Sequence, residues 1–391
     1  MKTFLTLTII LAALNVIETD AGELKTFAEA KTLSAQSGKP ILLEFFKDDC
    51  EFCSQAAQDA INRSDIKQAL DQVIHFTLNF KHGEGIELSK KFTIGIYFPV
   101  FFLLDSRGEI IKRWTGYTGA GRFISALNDA LSDQTTVDER LARYKAKPTF
   151  DDALYFANYY TDIWDYIKAN DYYRQARKLS GSNPSKYAFE IFQNTANAVW
   201  QDTLEFPAVL PIADSVLTLQ SNNADILVKA AQIMTRLARK KETTGQIKKY
   251  LQAAIDITAN RQDVKTQKDN ALLKSEYALY VDKDTVKAIG IKKSTMPANW
   301  EKSPEEFYTF AKWCLERKIN LEQAERFTRQ AVQMASPGEF KGKVLSTLAS
   351  ICDARGNHQE AIKQIKLAIA EDPKNSSYSD LLEEFQSGSG G

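Results

Sequence analysis

Ile41-Leu42-Leu43-Glu44-Phe45-Phe46-Lys47-Asp48-Asp49-Cys50-Glu51-Phe52-Cys53 is the stretch that decides the fold. Residues 41–46 are apolar on both alternating faces except at Glu44, the pattern of a central strand covered on both sides. After Cys53 the apolar positions Ala56, Ala57, Ala60 and Ile61 fall at helical spacing. A strand therefore delivers a CxxC to the first turn of a helix, which is a redox arrangement. Unpaired N–H groups and partial positive charge at the helix N-terminus favour a thiolate on Cys50, the nucleophile of disulfide exchange. Cys53, one helical turn on, is placed to resolve a mixed disulfide.

Upstream, Leu24, Phe27 and Ala28 open an amphipathic helix, and Gly38-Lys39-Pro40 reads as a helix stop followed by a strand start. Downstream, Ile66, Ala69 and Leu70 mark a short helical piece. His75 to Phe80 alternates as a strand, residues 81–85 form a loop, and Ile86 to Phe92 a short helix. Val100 to Asp105 and Glu109 to Thr115 form a hairpin across Ser106-Arg107-Gly108. Phe123, Ile124, Leu127 and Leu131 place a closing helix.

Several of these motifs, in this order, resemble the thioredoxin-fold family, and within it the thioredoxin-like domains of exported disulfide reductases. The matching residues are Gly38 to Phe45, the CxxC, Phe98-Pro99, Leu104 to Gly108 and Trp114-Thr115-Gly116-Tyr117. The resemblance implies that Pro99 is a cis-proline beside the CxxC and that Phe98 supplies backbone to a partner chain, since cis bonds are essentially a proline phenomenon. It also implies that Glu44 is the buried acid that exchanges a proton with Cys53. The strand pattern supports that placement, against the alternative that Glu44 reaches solvent at the strand end. The implied catalytic set is Cys50, Cys53 and Glu44, with Phe98 and Pro99 on the substrate and a redox-active Cys50–Cys53 disulfide. No metal or organic cofactor is called for.

The chain departs from the family around the first cysteine. Asp49 stands where an aromatic residue is usual, and Glu51-Phe52 replaces the commoner pair between the cysteines. Asp48, Asp49 and Glu51 oppose the helix dipole and disfavour a thiolate on Cys50, each effect being worth about 0.3–1 kcal/mol. Two other readings of the CxxC remain: a structural disulfide without turnover, and half of a zinc site. Zinc needs two more ligands, and there is no second CxxC, while His75, His82 and His358 stand apart in sequence.

The 391 residues allow two or three domains, and the net charge of zero offers nothing to nucleic acid or an anionic membrane. Residues 1–21 read as a secretory signal: Lys2, an apolar run from Phe4 to Leu14, and small residues at Thr19-Asp20-Ala21. An uncleaved anchor is the alternative. No later stretch is long enough to span a bilayer. The expected setting is outside the cytoplasm, periplasmic or extracellular, where disulfides persist.

The expected organisation is a thioredoxin-like α/β domain over 22–134, a polar linker over 135–147, an all-α C-terminal helical-repeat part over 148–384, and a flexible tail over 385–391. From Pro148 on, helical segments alternate with breaks near 180–184, 221–223, 243–245 and 336–338, which suggests a repeat array. The clearest units lie over 301–384. Leu348, Ala349, Gly356-Asn357, Ala361, Ala368 and Pro373 are spaced as in the tetratricopeptide repeat, which they resemble; Asn320, Ala324, Ala331 and Pro337 mark a preceding unit. The repeats are expected to bind a partner protein, and the CxxC to act on protein thiols or disulfides. A rival reading makes the chain a non-catalytic scaffold or a chaperone-like binder. Tyr155, Phe156, Tyr159, Tyr160, Trp164, Tyr166, Tyr172 and Tyr173 either line a groove or pack between helices. Cys314 and Cys352 are either buried free thiols or a bridge.

Overall fold

A computed structural model describes residues 24–387 apart from 49, 96, 182 and 184. The expected signal over 1–21 and the last four residues of the expected tail lie outside the described residues. The chain divides into two compact units, residues 1–137 and 138–391.

The first unit is α/β. Its elements are α1 (Phe27–Ser37), β1 (Ile41–Phe46), α2 (Glu51–Asn62), α3 (Ser64–Leu70), β2 (Ile74–Asn79), α4 (Glu84–Lys91), β3 (Val100–Leu104), β4 (Ile110–Thr115) and α5 (Ala120–Ser132). The sheet order is β2-β1-β3-β4, with β1 parallel to β2 and antiparallel to β3, and β3 antiparallel to β4. The doubly apolar pattern of residues 41–46 is explained by this order, because β1 is an inner strand. Leu43 and Phe45 pack on one face with Phe27 and Ala30 of α1 and with Phe92. Leu42 packs on the other with Ala56 of α2, Ile66 of α3 and Phe123 of α5. The turn from β3 to β4 is held by the Asp105 carboxylate, which accepts the backbone N–H groups of Arg107 and Glu109, each at 2.9 Å.

The second unit is all-helical among its described residues. Its α-helices are α6 (Val137–Ala146), α7 (Phe150–Asp162), α8 (Tyr166–Leu179), α9 (Ala188–Trp200), α10 (Leu210–Leu219), α11 (Ala224–Lys240), α12 (Lys248–Thr258), α13 (Val264–Tyr280), α14 (Thr285–Ser294), α15 (Pro304–Arg317), α16 (Leu321–Met334), α17 (Glu339–Ala354), α18 (His358–Glu371) and α19 (Ser377–Ser387). Consecutive helices pack as hairpins, most extensively α7 with α8, α15 with α16 and α17 with α18. All four breaks read from the sequence fall between helices. In the α17–α18 hairpin the small residues do what their spacing predicts: Ala349, Ala361 and Ala368 are fully buried. At Gly342 a Cβ would stand 3.2 Å from Asp372 Cβ and 3.4 Å from the Ala368 carbonyl oxygen, a tight approach that a side chain would widen by a few tenths of an ångström.

Two expectations are corrected. The polar stretch 135–147, expected as a linker, is mostly helix, because it holds α6. The helix is anchored by packing of Tyr144 on Phe156 and Tyr172 and by charge: buried Arg140 donates to Asp152 of α7 at 3.1 Å, and Arg143 donates to the same carboxylate through Nε at 3.0 Å. The tail does not begin at 385, because α19 runs to Ser387 and buries Phe385. The aromatic cluster divides. Phe156 and Tyr173 are buried, whereas Tyr160 and Tyr172 stay half-buried and stack on each other at 5.4 Å.

Candidate redox site

Cys50 is the N-cap of α2, with extended backbone at φ −130° and ψ 102°. Its Sγ accepts the backbone N–H of Cys53 at 3.1 Å and is joined to Cys53 Sγ in a disulfide. That N–H is one of the unpaired donors that open a helix. A charge left on Cys50 Sγ by reduction would meet a donor already pointing at it. Cys50 retains 8% of its surface and Cys53 5%, so both residues are buried, the first cysteine slightly less than the second.

The surroundings are built from both faces of the sheet. Cys50 and Cys53 pack in one cluster with Phe45, Phe92 and Phe98. The Phe98–Pro99 peptide bond is cis. Phe98 is buried against Phe80, with ring centroids 4.6 Å apart, and Lys47 Nζ lies 5.9 Å from its centroid. The Pro99 carbonyl accepts Gly116 N–H at 2.7 Å, which ties the proline loop to the end of β4. Around the buried sulfurs two large apolar side chains face solvent: Phe52, between the cysteines, and Tyr97, just before the proline loop, are 52% and 63% exposed.

A model of the thioredoxin-like domain family matches residues 27–131. This stretch is a thioredoxin-like domain. The oxidised C-terminal domain of Neisseria meningitidis DsbD is similar to the chain at 23% identity, over 26% of this chain and 90% of that one, with a TM-score of 0.23. PilW, a type IV pilus biogenesis factor, is similar at 16% identity over 60% of this chain and 97% of that one, TM-score 0.36. A tetratricopeptide repeat protein from Parabacteroides merdae is similar at 12% identity over 61% and 98%, TM-score 0.31. No curated protein matches the chain.

Within the thioredoxin-like domain, Glu44 lies on the β1 face that α2, α3 and α5 cover, two residues nearer the CxxC than Leu42. It is 7% exposed, and its Oε2 lies 2.9 Å from His75 Nε2. The parallel register brings the two together: His75 is opposite Leu42 and Thr77 opposite Glu44, so all four share a face. From the sequence His75 opens a strand and stands apart from the other histidines; nothing there pairs it with Glu44. Its alternation with Phe76 and Leu78 shows that it faces away from them, but not which residue of β1 it meets. Asp48 is engaged too: Asn79 Nδ2 donates to its Oδ1 at 2.8 Å, and His82 Nε2 stands 3.6 Å from Oδ2. Part of the negative charge beside Cys50 is therefore shared with neighbours. Glu51, in the first turn of α2, is exposed.

The other two cysteines play no part in this site. Cys314 and Cys352 are free, fully buried thiols in separate apolar clusters of the helical unit. Burial pushes the Cys314 thiol up to about 12 and that of Cys352 up to about 11. Among the described residues no helix is long and apolar enough to cross a membrane.

Proposed function

We propose that the thioredoxin-like domain is an exported thiol–disulfide oxidoreductase that acts on partner proteins, and that the helical unit binds the partner. The observation that carries this reading is the Cys50–Cys53 disulfide with Cys50 as the N-cap of α2 and its sulfur accepting the Cys53 backbone N–H.

In the reducing direction a dithiol reductant first opens the Cys50–Cys53 bond. Cys50 thiolate attacks one sulfur of a partner disulfide and expels the other as a thiolate. Cys53 gives its proton to the Glu44 carboxylate and attacks Cys50 Sγ. The mixed disulfide breaks, the second partner thiolate leaves, and two electrons have passed to the partner. The same steps in reverse oxidise a partner dithiol. Phe98 and Pro99 line the approach, and the cis bond leaves the Phe98 backbone available to an extended partner segment. The signal-like segment at 1–21 supports an extracytoplasmic setting.

Cys53→Ser tests the reading in the cell. Without its resolving sulfur the protein should accumulate as a mixed disulfide through Cys50, seen as a higher band on non-reducing gels that dithiothreitol collapses. A Cys53→Ser protein that stays monomeric in an oxidising compartment would instead support the structural disulfide.

A further inference from the structure

The helical unit contains a cavity of about 670 Å³ walled by α9, α11, α13, α14 and α15. That volume is in the range of sites that hold small ligands or short peptide segments. Its basic side chains are Lys229, Arg236, Arg239, Lys292, Lys312 and Arg317; against them stand only Glu276 and Glu316. Lys229, Arg236 and Lys312 are exposed at the rim, while Lys292 is only 6% exposed. No carboxylate pairs with the Lys292 ammonium among the described residues, and its own proton affinity is lowered by burial and by the charges of Lys268 and Arg317.

Polar atoms on the other helices lining the cavity are left without partners. Glu276 receives Arg317 at Oε1, with Nε at 2.8 Å, but its Oε2 is buried without a partner. Trp313 Nε1 is buried and makes no hydrogen bond. Arg239 Nη1 is likewise buried without a hydrogen bond, the Glu316 carboxylate approaching only to 3.9 Å. Buried polar groups are nearly always satisfied, and each one left over costs about 1–3 kcal/mol. Three around one cavity, two donors and one acceptor, together with the Lys292 ammonium, describe the ligand in negative relief. It carries an anion for Lys292 and Arg239, an acceptor for Trp313, and an N–H to donate to Glu276 Oε2.

We propose that this cavity binds a carboxylate-bearing ligand that also offers an N–H donor: an acidic polypeptide segment or a free acidic amino acid. A phosphate would satisfy the cations but would leave Glu276 Oε2 facing another anion with nothing to accept. Ile233, Leu272 and Leu273 supply apolar wall beside the charges, as expected for a ligand with a carbon frame. The proposal deepens the binding role given to the helical unit and is independent of the thiol chemistry.

Calorimetric titration of the purified full chain at low ionic strength decides it. The probes are a heptapeptide with a run of glutamates in a glycine–serine frame, its glutamine counterpart, and free glutamate. The glutamate peptide should bind at least about tenfold tighter than the glutamine peptide, the worth of one desolvated charge contact. Lys292→Met should cost at least about tenfold in affinity without lowering the melting temperature, since it removes an unpartnered buried charge. Where Lys292→Met melts early, Arg236→Gln combined with Lys312→Gln at the exposed rim gives the same reading through a weaker loss. Free glutamate binding as tightly as the peptide, and losing affinity in Lys292→Met, assigns the site to a free amino acid. Equal affinity for the glutamate and glutamine peptides overturns the proposal, as does a folded Lys292→Met that binds like the wild type. Trapping by Cys53→Ser reads Cys50 alone, so either proposal can fail without the other.

Discussion

The α/β unit and the helical unit hold two cysteines each and treat them in opposite ways. Cys50 and Cys53 lie at the head of α2, where backbone N–H groups point outward and a sulfur can be stabilised as an anion. Cys314 and Cys352 lie inside α15 and α17, where the backbone N–H groups around them are spent within the helix and burial pushes the thiols up. All four are mostly hidden from solvent. Where a sulfur sits along a helix, rather than how deeply it is buried, separates a reactive pair from two packing residues.

The largest expected effect comes from crossing that line. Cys50→Ser should reduce turnover in an insulin-reduction assay to background, while Cys314→Ala with Cys352→Ala leaves the rate unchanged. In the reduced native protein a maleimide should label Cys50 and spare Cys314 and Cys352 until denaturant is added. With a thiol at about 12, the thiolate fraction of Cys314 near neutral pH is roughly 10⁻⁵. Native labelling of Cys314 at a rate like that of Cys50 would erase the contrast.

A second test uses buried charge, which the helical unit spends on structure. Burial alone would raise the Asp152 carboxyl, but hydrogen bonds from Arg143, Thr149 and Arg140 overcome it and hold the group below the usual carboxylate range. Because the folded value is the lower one, this stabilisation is complete above the ordinary aspartate value of about 3.9 and is lost as pH falls below it. Asp152→Asn should cost the helical unit about 3–5 kcal/mol, since it strands a buried guanidinium. Scanning calorimetry should show the helical transition lowered and the α/β transition in place. Acidification of the wild type to pH 3 should move it in the same direction. A mutant that melts like the wild type at pH 7 would show that the Arg140–Asp152 pair is dispensable.

The smallest expected effect sharpens the role of Glu44. Glu44→Gln keeps the shape and the contact with His75 but removes the base, and should slow resolution by Cys53 by about 10²-fold. Stopped-flow measurement of mixed-disulfide decay separates this step from the Cys50 attack, which should be unaffected. An unchanged decay would reduce Glu44 and His75 to a satisfied polar pair in the core.

Much of the thioredoxin-like domain is legible before any coordinates, because its signals are local. The doubly apolar run at 41–46, the turn at 105–108 and the CxxC each state their own environment. His75 is not legible, because its meeting with Glu44 depends on the parallel register between β1 and β2, which neither strand's alternation contains. The helix at 137–146 is hidden for another reason. Val137, Leu141 and Tyr144 fall on one face, but the charged residues crowded around them read as a solvated linker, and the partner of Arg140 and Arg143 lies in the next helix. The cavity wall shares that difficulty: Lys229, Glu276, Lys292 and Lys312 each read as solvated surface, and only the packing of five helices shows that they surround one space.

The contact of α6 with Asp152 also says where this protein can be cut. Scissors guided by composition would fall in the charged stretch after Thr135, and a fragment starting at Pro148 would look like a clean harvest of the helical half. It would leave behind both guanidinium groups that the Asp152 carboxylate was folded around, and so would begin life with a naked anion in its interior. A fragment opened before Val137 keeps the clasp and its catch together.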